Sequence, residues 1–306
     1  MMGNIIAIDL GGTRIKLGLV EDGAVVARDL LPSDSGNGLA ARLPALQQAI
    51  DRLRDGRALT AVGLATPGLV DRRLRRITAI NAKWSDAPGL DLPGWARDHW
   101  DAPLCMANDA VAALAGEWHH GAAQGRNGAV MLTLGTGIGA AAVVDGRLLQ
   151  GSHGQAAIAG HLTVQVDGRR CSCGNRGCAE AEASTAVLPE LARADRRYAA
   201  SALATAPLID YATVFGLAPT DALAHDLRER ALAVWSSLAV SLVHAYDPEV
   251  LVVGGGIAAA GESLLVPMRA HLDAHAWTPW GRVEVRRAIL GDDAALLGIA
   301  ALALES

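Results

Sequence analysis

Two stretches of this chain repeat one order of elements, and that repeat limits the fold more than any other feature. Residues 5–31, IIAIDLGGTRIKLGLVEDGAVVARDLL, run from an apolar stretch ending at Asp9 through a glycine turn into a second apolar stretch. Asp22-Gly23 then closes a hairpin into AVVA. Residues 129–151, AVMLTLGTGIGAAAVVDGRLLQG, follow the same order, with Asp145-Gly146 at the hairpin. Asp-Gly between apolar runs signals a hairpin because both residues tolerate the positive φ of a tight turn. Laying Asp22 on Asp145 places Asp9 near Thr133 and the two Gly/Thr turns side by side, with a one-residue difference in length. An internal duplication is expected, each half opening with a β-hairpin sheet. Chance likeness between two glycine-rich hairpins is the competing reading.

Between the repeats, LTAVGLATPGLVD reads as a strand ending in the Thr66-Pro67-Gly68 turn. PLCMANDAVAALAGEWHHGA reads as a short strand running into a helix that starts near Asn108-Asp109 and ends at Gly121. A helix over ERALAVWSSLAVSLVHAYDP should stop before Pro248. EVLVVGGGIAAAGESLLVPMRAHL reads as a buried strand, a glycine turn and a helix. The last segment, GDDAALLGIAALALES, is a helix of small apolar residues suited to close packing on a neighbour. Strands alternating with helices imply an α/β protein with mixed sheets.

A length of 306 residues with 51% hydrophobic content allows a large core and favours two domains. The net charge of −5 and the scattered basic residues argue against nucleic acid or an anionic membrane as partner. The opening MMGNIIAIDLGG lacks a basic leader and breaks at Asp9, so no signal peptide is expected, nor is a membrane span. Four cysteines make a poor disulfide framework at this length, and a cytoplasmic enzyme or binding protein is the base expectation.

Turns such as DLGGT and LGTGIG can surround an anion with backbone N–H groups, glycine permitting close approach and threonine adding a hydroxyl. Asp9, at a strand end, could hold Mg²⁺ through water. One such turn is commonplace; one in each half of a duplication suggests two lobes closing on a nucleotide's phosphates. A dinucleotide-binding fold fits less well. In VVGGGIAAAG the third glycine position of the fingerprint is Ala259, and LGTGIG is followed by a strand instead of a helix.

Three of the four cysteines sit in HLTVQVDGRRCSCGNRGC, residues 161–178, as H-x9-C-x-C-x4-C. Three thiolates and an imidazole, His161, Cys171, Cys173 and Cys178, suit a tetrahedral Zn²⁺ with no open position, hence a structural metal. A redox pair or unrelated buried thiols are the alternatives.

DLGGT, ATPG, ND before a helix, LGTGIG, GH followed by CSCGNRGCAE, and VVGGG occur here in one order along essentially the whole chain. In that order the sequence resembles the ROK family of bacterial sugar kinases and sugar-responsive repressors. The resemblance implies a two-lobed actin-like ATPase (ribonuclease H-like) fold with duplicated mixed β-sheets flanked by helices. It implies an N-terminal lobe of residues 1–110 plus 291–306, and a C-terminal lobe of residues 111–290 carrying the zinc loop. It also implies ATP-dependent phosphorylation of a hydroxyl on a hexose or related polyol.

Asn and Asp at a helix start are common caps. The resemblance adds a catalytic role for Asp109, accepting the proton of the sugar hydroxyl as it attacks the γ-phosphate. It assigns sugar contacts to Gly68, Asn81, Asn108, Asp109, His161 and Glu180. Nucleotide phosphates fall to Asp9, Gly11, Gly12, Thr13, Lys16, Gly135, Thr136, Gly137, Gly254, Gly255 and Gly256, with Mg²⁺, and structural Zn²⁺ to the four ligands above. A homodimer is implied by resemblance only. Family kinases carry a glutamate three residues before the zinc-loop histidine, and Ile158 stands there. An apolar group cannot accept a hydroxyl proton, so a substrate altered at its C1–C2 end is expected. The alternative is a non-catalytic sugar-binding or regulatory protein. The family's repressors carry an added N-terminal DNA-binding domain, whereas the first phosphate strand begins here at Ile5. His119-His120 read as a solvated helix end, and Arg72, Arg73, Arg75 and Arg76 as an exposed hairpin. Trp84 and Trp95 read either as a lid near Asn81 or as packing.

Overall fold

The computed structural model describes residues 3–80, 83–156 and 158–305. The chain begins with β1 (Ile5–Leu10), β2 (Arg14–Glu21), β3 (Ala24–Pro32), α1 (Leu43–Arg54), β4 (Ala61–Thr66), β5 (Leu69–Asp71) and β6 (Arg76–Ala79). Next come α2 (Leu92–Trp100), β7 (Leu104–Asn108), α3 (Asp109–His120), β8 (Ala129–Leu134), β9 (Ile138–Val144) and β10 (Arg147–Leu148). The remainder holds α4 (Ala179–Ala183), α5 (Leu188–Ala194), α6 (Tyr211–Leu217), α7 (Ala222–Tyr246), β11 (Val250–Gly254), α8 (Glu262–His275), β12 (Glu284–Arg287) and α9 (Ala294–Leu304).

The duplication is visible in the sheets. One runs β3-β2-β1-β4-β7 and the other β10-β9-β8-β11-β12, the same order, with β1–β2 and β8–β9 both antiparallel. In the first, Asp9 pairs with Lys16 on β2 and with Ala65 on β4. In the second, Thr133 pairs with Gly139 on β9 and with Gly254 on β11. β1 and β8 are each 6 residues long, so Asp9 and Thr133 are equivalent positions.

Unit 1 comprises Met1–Gly125, Leu148–Ala156 and Ile289–Ser306. Period-2 alternation sends Ile6, Ile8 and Leu10 to a core shared with Leu46 and Ile50 of α1 and with Trp84. Ile5 and Ala7 face the other way, into a core built by α3 and α9. α9 is wholly apolar, six of its eleven residues being Ala or Gly, and it approaches α3 closely: a Cβ on Gly298 would overlap the Ala112 carbonyl oxygen, and one on Gly116 that of Ala294. This crossing draws α3 into unit 1, so the division falls after Gly125 instead of near residue 110. Residues 148–156 also return to unit 1, where Gly154 lies against the backbone of Val70, with no room for a Cβ. β5 and β6 pair as a separate two-stranded sheet, with Arg73, Arg75 and Arg76 exposed and Arg72 half-buried. Trp84 is fully buried in the first core and Trp95 packs against it, so the packing role holds for both.

Unit 2 comprises Arg126–Arg147 and Ala157–Ala288. Its long α7 starts with the Asp221 carboxylate accepting from the Ala224 N–H and stops at left-handed Asp247, one residue before Pro248. Trp235 of α7 is fully buried and donates its indole N–H to the Ala183 carbonyl at the end of α4, 3.1 Å away. No helix among the described residues is long and apolar enough to cross a membrane.

Candidate active site

The DLGGT turn of unit 1 holds itself together through its backbone. The Gly11 N–H donates to the Asp9 carbonyl (3.0 Å), the Ser33 N–H donates to the Thr13 carbonyl (3.1 Å), and the Ser33 hydroxyl donates to the Gly11 carbonyl. Gly12 and Thr13 remain exposed, as a turn that takes a ligand requires. Asp9 is half-buried, and burial together with the nearby Asp292 charge pushes its carboxyl up, opposed by Lys16. The Lys16 ammonium is 2.7 Å from Asp292 and 3.9 Å from Asp9, so this expected phosphate ligand is already held by carboxylates. Asp292, 276 residues away in sequence, was invisible to motif reading.

Asn108 and Asp109 stand where β7 ends and α3 begins. Asn108 is a helix cap: its Oδ1 accepts from the N–H groups of Ala110 (2.9 Å) and Val111 (3.4 Å). It is also a brace, donating Nδ2–H to the Gly68 carbonyl at 2.9 Å. Gly68 has φ +90, and a Cβ there would overlap the Ala79 carbonyl oxygen, so only glycine fits this turn. Asp109 accepts from Ala110 N–H at 2.8 Å, and the residue is open to water. Protein crowded around the carboxyl nevertheless disfavours its charge, and Asp9 adds repulsion; together they push Asp109 up to about 6. Beside Asn108 lies a cavity of about 30 Å³, lined in part by Arg72, Arg73, Gln150 and Ser152, room for about one water molecule. Asn81 lies outside the described residues.

In unit 2, LGTGIG and the glycines after β11 come together. Gly254 pairs with Thr133, and Gly255 (φ +80) packs so closely on Leu134 that a Cβ would overlap its carbonyl oxygen. Gly135, Thr136, Gly137 and Gly254 to Gly256 thus share one end of the sheet. The turn is braced from the cysteine loop's side. Glu180 Oε2 accepts from Ile138 N–H (2.9 Å), Thr185 N–H donates to Gly135 O (3.0 Å), and Ala186 N–H to Thr136 O (3.1 Å). Glu180 is half-buried, and Ile138 takes only one of its two oxygens.

His161, Cys171, Cys173 and Cys178 cluster, their ligating atoms all within 4.8 Å of one another. Tetrahedral Zn²⁺ with bonds near 2.3 Å to sulfur and 2.05 Å to nitrogen implies S···S edges of about 3.8 Å and N···S edges of about 3.6 Å. The Cys173–Cys178 sulfur separation is 3.7 Å, and His161 Nδ1 lies 3.5 Å from Cys171 Sγ. The donor set therefore fits zinc in type, and these two edges match its tetrahedron. Burial and the two neighbouring thiols push Cys178 up to about 12, whereas the Asn175 backbone N–H draws Cys173 down. With Nδ1 turned toward the sulfurs, His161 Nε2 lies on the far side of the ring. The loop is pinned by Glu182, buried on α4, which accepts from Arg169 N–H (2.5 Å) and from the Arg230 guanidinium.

The sequence matches the model of the ROK family over residues 5–306. The chain belongs to the ROK family. A glucokinase of Thermotoga maritima is 34% identical over 312 residues, covering 98% of this chain and 97% of that protein. A ROK hexokinase from Thermus thermophilus superposes with a TM-score of 0.80 at 34% identity, over 99% of both chains. A ROK glucokinase from Streptomyces griseus, solved with glucose and AMPPNP, gives 0.82 at 29% identity, over 99% of this chain and 100% of that one. The repeated sheets are accordingly those of the actin-like ATPase fold that ROK proteins share.

Within this ROK chain, unit 1 gathers Asp9, Gly11, Gly12, Thr13 and Lys16, and Asp109 is close enough to feel the Asp9 charge. Unit 2 gathers the second glycine turn, Glu180 and the four metal-type ligands.

Proposed function

We propose that this ROK protein transfers the γ-phosphoryl group of ATP to a hydroxyl of a hexose or related polyol, with Asp109 as the general base. The class, an ATP-dependent carbohydrate kinase, is that of its glucokinase relatives. The observation that carries the mechanism is the state of Asp109: a carboxylate at a helix start, open to water and raised to about 6 beside Asp9. Such a group can accept a proton near neutral pH. The sugar oxygen forms a bond to Pγ, the bond from Pγ to the bridging oxygen breaks with its electron pair leaving on ADP, and the hydroxyl proton passes to Asp109. Alignment and charge neutralisation supply most of the remaining rate.

Backbone N–H groups of the DLGGT and LGTGIG turns and of Gly254 to Gly256 are assigned to the phosphates, and Asp9 to a water-bound Mg²⁺, which would draw off phosphate charge. Lys16 balances Asp9 and Asp292. His161, Cys171, Cys173 and Cys178 would hold a structural Zn²⁺ that fixes their loop. Gly68, Asn81, Asn108, His161 and Glu180 are assigned to sugar hydroxyls. Ile158, half-buried just ahead of His161, favours a substrate lacking a free hydroxyl at one end, altered at C1 or C2.

ADP release across a panel of glucose, N-acetyl sugars and deoxy sugars tests the reading. Turnover of one or more of these, with Asp109→Asn binding the same sugar without phosphorylating it, is expected. Sugar binding with no ADP release from any of them would transfer the protein to the regulatory branch of the family. Strong, selective turnover of glucose would remove the role given to Ile158.

A further inference from the structure

We infer that Lys83 is a second cation of the phosphate site in unit 1, contacting the phosphoryl group that is transferred. The inference rests on the kinase reading above. Lys83 lies on the exposed face of the DLGGT turn. A Cβ built on Gly12 would overlap the Lys83 ammonium and lie 3.0 and 3.1 Å from its Cε and Cδ. Its backbone is fixed by the next residue, Trp84, which is fully buried, takes left-handed φ (57) and donates its N–H to the Ser35 carbonyl at 3.3 Å. Among the described residues no carboxylate pairs with Lys83, whereas Lys16 is held by Asp292 and Asp9. The turn therefore has one ammonium committed to carboxylates and another resting where an anion would sit.

Which phosphate it meets follows from unit 1 alone. The attacked phosphorus must lie beside the base, and the Asp9 charge reaches Asp109. The phosphate at the Asp9–Gly12 turn is then the one that accepts the sugar oxygen. Asp9, Asp109 and Asp292 make the surroundings negative, so an incoming phosphoryl group needs a cation besides Mg²⁺. Lys83 supplies it as a point charge on a flexible stem, without taking part in bond making or proton transfer.

The experiment compares the wild type with Lys83→Met and Lys83→Arg, each checked for unchanged thermal unfolding. Rates are measured against ATP and against sugar, and affinities for AMPPNP and ADP by calorimetry. Lys83→Met should lower kcat/KM for ATP by about tenfold to a hundredfold. It should weaken AMPPNP more than ADP and leave sugar affinity within about threefold, and Lys83→Arg should restore most of the loss. Wild-type ATP kinetics in Lys83→Met, an equal loss for AMPPNP and ADP, or a loss confined to sugar would overturn the role while leaving the kinase reading intact. A wild type that turns over no sugar and binds no nucleotide would instead overturn the kinase reading itself.

Discussion

Helix α3 carries two carboxylates that are opposites. Glu117 is fully buried, yet its Oε2 accepts from Ala122 N–H (2.7 Å) and its Oε1 from Ile289 and Leu290 N–H (2.9 Å each). Asp109, eight residues earlier on the helix, accepts from Ala110 N–H at the helix start and remains open to water. Unit 2 repeats the pairing on α4, where Glu182 is buried against Arg169 and Arg230 while Glu180 has an oxygen to spare. Depth alone therefore does not single out the carboxylate proposed as the base. What separates the two kinds is acceptor capacity left over after the fold has taken its share.

The contrast on α3 breaks most visibly at Asp109→Asn. Its kcat should fall by about 10²–10⁴-fold with no loss of thermal stability, measured by ADP release and by melting. Glu117→Ala should do the reverse. It strands three backbone donors and should lower unfolding free energy by on the order of 3 kcal/mol in urea titration, with activity per folded molecule retained. On α4, Glu180→Gln should raise the KM for sugar about tenfold, the equivalent of one hydrogen bond, while keeping an acceptor for Ile138. The smallest effect is the one with pH. Asp109 is raised to about 6 and the base must be ionised, so kcat should fall about tenfold from about pH 7 to about pH 5, a limb that Asp109→Asn lacks. The same upward shift makes the Asp109 contribution to stability favourable at low pH and lost as pH rises through about 6, so Asp109→Asn should melt no lower than wild type at neutral pH.

Much of this was legible in the residues because the signals were local or repeated. The Asp22-Gly23 and Asp145-Gly146 hairpins fixed the alignment of Asp9 with Thr133, and the sheets pair at those positions. The metal-type cluster was readable because its ligands are close in sequence. Long-range partners were not. Nothing in the local sequence marks Glu117, two of whose donors lie 172 and 173 residues downstream. Lys83 stands alone between Ala82 and Trp84, with no periodicity to mark it, and only the fold of unit 1 brings it to Gly12. The division after Gly125 was not legible for a related reason. Where α3 belongs is decided by α9, and no local pattern near residue 110 announces a partner beyond residue 290.

The tight crossing of α3 and α9 also has a consequence for biogenesis. One face of the first sheet, including Ile5 and Ala7, has only α3 to cover it until Leu296, Ile299 and Leu302 have left the ribosome. Unit 2, complete at Ala288, has all its strands in hand before that moment. The half of the molecule that is synthesised first should therefore be the last to mature, exposing a sticky flank to chaperones throughout translation.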